Sequence, residues 1–112
     1  MRTGEQRLAD ILAATIDAAS LVENGHERFL SDPLLIRAAK NIISEIGESA
    51  KRIDDKLLLA IPGVPWKAVK GMRDKVVHDY PELDLDVLWE TLANGLPVIR
   101  HAIVAYTKKS RR

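Results

Sequence analysis

At 112 residues, 46% of them hydrophobic and 29% charged, the chain is long enough for one hydrophobic core and too short for two, and its composition excludes both wholesale disorder and a membrane-embedded protein. Seventeen basic residues against sixteen acidic ones leave a formal net charge of +1, so any attraction to nucleic acid or to an anionic membrane has to be local. There is no cysteine, which excludes disulfides, thiolate metal sites and a cysteine nucleophile and fits a reducing compartment.

The first stretch, "MRTGEQRLADILAATIDAAS", carries a charge every few residues and no continuous apolar block, so it reads as neither a signal peptide nor a membrane span, and a cytoplasmic location is expected. Leu8, Ile11, Leu12, Thr15, Ile16, Ala19 and Val22 recur at steps of three and four, which predicts a first helix stopping near Asn24-Gly25, where both residues tolerate a left-handed backbone. "SDPLL" opens a second helix, with Asp32 as its cap and Pro33 at the first helical position, where no amide bond is lost. Leu35, Ala39, Ile42, Ile43, Ile46, Ala50 and Ile53 form its apolar stripe, and the small residues Ala39, Gly47 and Ala50 permit a neighbour to come close. Pro62, Gly63 and Pro65 interrupt the pattern, leaving a short helical turn over 56–60 and then a loop.

A third helix starts at Pro65 or Trp66, turns Trp66, Val69, Met72, Val76 and Val77 inward, and is ended by Pro81, which pushes its predecessor out of the helical region. Asp84 or Asp86 caps a fourth, with Leu88, Leu92, Leu96, Ile99, Ile103 and Tyr106 on the buried side. Pro97 falls inside that run and predicts a kink. The tail after Thr107, "KKSRR", is charged and is expected to fray. Four such helices joined by short connections make an all-α, antiparallel up-and-down bundle the simplest architecture, as a single domain over 1–112. No repeat or low-complexity segment is present.

One stretch concentrates chemistry: "MRDKVVHDY", residues 72–80. Asp74 and His78 are four apart and share a helical face, whereas Arg73 and His78, five apart, point roughly 140° from each other. One helix therefore converges poorly, and two copies facing each other across a two-fold axis would converge better. Gly71, costly inside a helix, would then mark where a partner's backbone approaches. Arginine offers a planar, permanent charge for phosphate oxygens, and histidine moves a proton near neutral pH. Together they can let an RNA 2′-hydroxyl attack the adjacent phosphorus without a metal. His26, His78 and His101 are scattered, and no pair has an i, i+4 ligand spacing. By spacing alone, the same residues also describe a solvated helix end with one favourable pair. Trp66 and Trp89 read as packing anchors, and His26 and His101 as surface residues.

The residues "RDKVVHDY" resemble the arginine, four residues, histidine, one residue, tyrosine signature of the HepT-like HEPN proteins, the toxin halves of toxin–antitoxin pairs with a minimal nucleotidyltransferase of the MNT type. The resemblance extends through "DPLLIRAAKNIISEIGESAKRI", "VPWKAVKGMRDKVVHDY" and "LDLDVLWETLANGLPVI", together about nine-tenths of the chain from Arg7 to Ile103. Asp74 stands where many relatives carry asparagine, polar in either case.

The resemblance implies a HEPN-like helical bundle, a homodimer whose paired motifs line a cleft, and a metal-independent endoribonuclease of a type VII-like system. Carried over, Arg73 would hold the scissile phosphate, His78 would transfer the proton, and Asp74 would orient one of them. Tyr80 would be the tyrosine adenylylated, and the toxin thereby silenced, by the partner nucleotidyltransferase. ATP and Mg²⁺ would belong to that partner, with no cofactor or metal on this chain, and RNA rather than DNA or a membrane would be its substrate. The alternative is a non-catalytic helical module that binds a nucleotide or docks the partner.

Overall fold

The computed structural model describes residues 1–78 and 84–111, the side chains of residues 77 and 78 excepted. In chain order the elements are α1 (Gly4–Val22), α2 (His26–Ser31), α3 (Pro33–Lys51), α4 (Asp55–Leu59), α5 (Trp66–His78), α6 (Leu85–Glu90), a π-helical turn (Thr91–Gly95) and α7 (Leu96–Ser110). No strand occurs among the described residues, and the long helices form the all-α bundle that the periodicity predicts.

Local chemistry sets the helix ends. Thr3 and Gln6 form a reciprocal capping box, the Gln6 amide donating to Thr3 Oγ1 at 3.1 Å and the Thr3 amide to Gln6 Oε1 at 2.8 Å. This starts α1 at Gly4, a turn before the first apolar repeat. Asp32 caps α3 as expected, accepting from the Leu34 amide at 3.0 Å, with Pro33 as the first helical residue. That amide, together with Arg28 Nε at 3.1 Å, holds the Asp32 carboxyl below its ordinary 3.8. Asp84, rather than Asp86, caps α6, accepting from the amides of Asp86 and Val87.

The core is built from α1, α3, the inner face of α5 and the α6–α7 run, with Ile11, Phe29, Ile43, Ile46, Ile61, Leu92, Leu96 and Ile103 almost wholly enclosed. The buried face of α1 is rotated from the expected one: Leu8, Ile11, Ala14, Thr15, Ala18 and Leu21 point in, and Ile16 is 52% exposed. α1 packs against both α3 and α7, and small Ala14 and Ala18 let two neighbours come close at once. Thr15, buried among apolar groups, keeps its hydroxyl satisfied by donating to the Leu12 carbonyl at 2.7 Å.

Two further differences have physical causes. The six-residue α2 lies where the sequence suggests only a connection; Gly25, at φ 91°, turns the chain, and fully buried Phe29 anchors the short helix. Trp89 stacks obliquely on Phe29 and His26, and His26 Nε2 lies 3.3 Å from Asp86 Oδ1, so His26 joins α2 to α6. At Pro97 the expected kink takes the form of a π turn just before it. The Leu96 amide donates to the Thr91 carbonyl five residues back, and Pro97 falls in the first turn of α7, where its missing amide matters least. The helix then runs on through Lys108 and Lys109 to Ser110.

A close backbone contact with α3 positions α5. A Cβ built on Gly47 of α3 would lie 3.3 Å from both Cβ and N of Arg73 and 3.4 Å from the Val69 carbonyl oxygen. These are backbone or backbone-proximal atoms that cannot swing aside. Gly47→Ala gains about 1 kcal/mol of helix propensity but overpacks the contact, a change that costs about 1–3 kcal/mol. The expected outcome is a net loss of stability in urea unfolding; a more stable variant would show that α5 withdraws freely.

Candidate active site

α5 carries the motif, and its N-terminal half is tied to the preceding loop and to α4. At its start Trp66 Nε1 donates to the Ile61 carbonyl at 3.1 Å, which fixes the loop to the helix and makes this tryptophan the anchor that the sequence suggests. Lys70 Nζ reaches Asp55 Oδ1 of α4 at 2.7 Å. Val69 and Val76 face the core, with Met72 partly covered.

Arg73 emerges at the α3–α5 seam. Its Nε lies 3.0 Å from Glu48 Oε1 and its Nη1 lies 3.8 Å from Asp74 Oδ1. The other oxygen of Glu48 is 3.9 Å from Arg52 Nη2, and the other oxygen of Asp74 is 3.7 Å from Lys51 Nζ. The result is a chain of five charges, Arg52, Glu48, Arg73, Asp74 and Lys51, drawn from two helices. Each side chain is between 37% and 64% exposed, so any one pair contributes about 0–1 kcal/mol to stability. Such a network sets orientation more than it holds the fold.

The structure thus brings Asp74 near both Arg73 and Lys51. His78 is the last residue of α5, and its side chain lies outside the described residues. A Cβ on Gly71 would meet nothing within 4 Å, so space is open at that position. Tyr80 lies outside the described residues. Tyr106 is partly packed against the core, as its stripe suggests, and its hydroxyl donates to Glu5 Oε1 of α1 at 2.9 Å. That hydrogen bond, with a smaller effect of burial, raises its pKa above the ordinary 10.0.

Glu48, Lys51 and Arg52 are the members of this site that the sequence reading does not single out. The available signal was positional: Glu48 follows Gly47, one of the small residues at which a neighbour was expected to approach. On its other flank Glu48 borders a groove of about 470 Å³ between α1 and α3, lined also by Asp10, Asp17 and Glu45. Asp10 is engaged by Arg2 at 2.6 Å. Among the described residues, no group of three or more His, Asp or Glu is arranged to hold a metal ion.

Comparison with known proteins agrees with these features. Residues 11–105 match the family described as ribonuclease HepT-like. "Putative RNase TTE0752" of Caldanaerobacter subterraneus subsp. tengcongensis is 32% identical over 85 residues, 76% of either chain. "Putative RNase MJ1216" of Methanocaldococcus jannaschii is 32% identical over 94 residues, 83% of this chain and 78% of the other. "Probable ribonuclease HepT" of Thermococcus cleftensis is 31% identical over 96 residues, 81% and 87% of the two chains. No solved structure matches. The chain belongs to the ribonuclease HepT-like family of HEPN proteins.

Proposed function

We propose that this chain is a metal-independent endoribonuclease, the toxin of a type VII-like HEPN/MNT pair, acting as a homodimer. The observation that carries the reading is the placement of Arg73. A guanidinium is held at the surface of the seam by carboxylates from two helices, five residues before the histidine of the motif. The family supports RNA as the substrate.

In the reaction the Arg73 fork binds the non-bridging phosphate oxygens and stabilises the charge that grows on them. One His78 takes the proton of the 2′-hydroxyl, whose oxygen attacks the adjacent phosphorus. The His78 of the second copy gives a proton to the departing 5′-oxygen, leaving a 2′,3′-cyclic phosphate and a 5′-hydroxyl. Arg73→Ala and His78→Ala should each lower cleavage of total RNA in EDTA by about two orders of magnitude or more, with the helical circular dichroism unchanged. Arg73→Lys should fail as well, because an ammonium lacks the planar fork. Binding of RNA without cleavage by the wild type would favour a non-catalytic module instead, and cleavage that EDTA abolishes would overturn metal independence.

The dimer reading is supported by the divergence of positions 73 and 78 on one helix, about 140° at about 100° per residue, and by the open space at Gly71. Sedimentation at micromolar concentration should give a species of twice the 12.5 kDa chain mass, and Gly71→Leu, which has room within its own chain, should shift it toward monomer. A wild type found only as monomer would refute this assembly.

Silencing is assigned to Tyr80. Its phenolic oxygen would attack the α-phosphorus of ATP in the partner nucleotidyltransferase, with Mg²⁺ on that enzyme and pyrophosphate leaving. The adenylate adds bulk and negative charge two residues from His78, where an RNA phosphate has to bind. Tyr106, its ring partly packed against the core and its hydroxyl engaged by Glu5, is a poor acceptor. Tyr80→Phe should keep cleaving RNA after incubation with the partner and ATP, while the wild type is silenced and gains one adenylate by intact mass. Adenylate on another residue, or equal silencing of both proteins, would sink the assignment.

A further inference from the structure

We propose that Glu48 of α3 is a positioning residue for Arg73, fixing the guanidinium from its Nε side so that the terminal fork is presented to the RNA phosphate. The inference rests on the ribonuclease reading above and adds a residue that the motif does not contain. The first support is distance: Glu48 Oε1 is 3.0 Å from Arg73 Nε, the shortest approach that any carboxylate in the five-charge network makes to this guanidinium. The second is that the separation is preset by the backbone. Gly47, the residue before Glu48, lets the backbone nitrogen and Cβ of Arg73 come to 3.3 Å from where a Cβ would stand, so the two side chains leave their helices at a fixed spacing.

The third support is chemical. A guanidinium presents Nε on one flank and its two terminal nitrogens at the tip. With Glu48 on the Nε flank, and Asp74 no nearer than 3.8 Å to Nη1, the terminal fork remains for two phosphate oxygens. Arg52 and Lys51 keep the site cationic, because three positive and two negative side chains leave one net positive charge.

This arrangement predicts that binding and rate separate. Removing the carboxylate makes the site more positive, which favours ground-state attraction of RNA. It also frees the guanidinium to wander, and misplacement of a catalytic group lowers the rate. Steady-state cleavage of a short RNA should therefore show Glu48→Ala with kcat reduced by about tenfold or more and KM unchanged or lower. Glu48→Gln, isosteric and still offering an oxygen toward Nε, should recover most of that loss. Both variants should keep the wild-type circular dichroism and melting temperature, since the pair is partly exposed and contributes little to stability.

Wild-type kcat in Glu48→Ala beside an inactive Arg73→Ala would overturn the role of Glu48 while leaving the ribonuclease reading intact. So would a raised KM at unchanged kcat, or a Glu48→Gln variant as slow as Glu48→Ala. Full activity in Arg73→Ala would overturn the assignment of Arg73 itself, and the role of Glu48 with it.

Discussion

The absence of one side chain, at Gly47, determines how the motif helix sits. α3 is the central helix of the bundle, packed on α1 across one face and on α5 across another. α5 rests chiefly on α3, and an apolar cleft of about 210 Å³, lined by residues that include Ala68, Met72, Val98 and Ile99, separates it from α7. A helix held mainly from one side takes its position from that side. The contact at Gly47 is between backbone and Cβ atoms, which do not change rotamer, so it fixes α5 more firmly than a seam of long side chains would. The charges that cross the same seam are exposed and individually weak, and they inherit a geometry that apolar packing has already set.

Much of the fold is legible in the sequence because its signals are local. Asp32-Pro33, Asn24-Gly25 and the stripe from Ala39 to Ala50 act within a few residues of where they stand, and the structure follows them. The departures occur where a distant neighbour intervenes. Ile16 sits on a plausible helical stripe, yet α1 has to serve α3 and α7 at once, which turns Ala14 and Ala18 inward and leaves Ile16 in solvent. The six residues of α2 are too few for periodicity to register, and the helix exists because Phe29 finds a pocket beside Trp89. At Pro97 the sequence shows that α-helical bonding has to be interrupted, but not that the interruption is a π turn that keeps Leu92 and Leu96 both buried in one core.

The candidate site divides in the same way. Arg73, Asp74 and His78 are legible because the motif is contiguous and its residue types suit phosphate chemistry. Glu48 and Lys51 lie more than twenty residues away in sequence, and nothing about a glutamate and a lysine near a helix end distinguishes them from solvated surface. What places them is the crossing of α3 and α5, and that crossing was hinted at only by small residues on α3. A stripe of small residues therefore says more than that helices approach. It directs attention to the polar residues beside it, since those are the ones carried to the edge of the contact.

The distribution of charge resolves an apparent difficulty with the ribonuclease reading. A net charge of +1 offers no global attraction for a polyanion. Locally, Asp10, Asp17 and Glu45 line the groove between α1 and α3, with Glu48 at its border. Across that border stand Lys51, Arg52 and Arg73, with Lys67 and Lys75 exposed farther along α5. At physiological salt a charge is felt over about 8 Å, so a phosphate near α5 senses its immediate neighbours rather than the molecular total. A phosphate bound at the α3–α5 seam would meet the cations of that seam before the groove carboxylates on the other flank of α3. Glu48 belongs to both sides of that division, the last carboxylate of the acidic groove and the nearest counterion of Arg73.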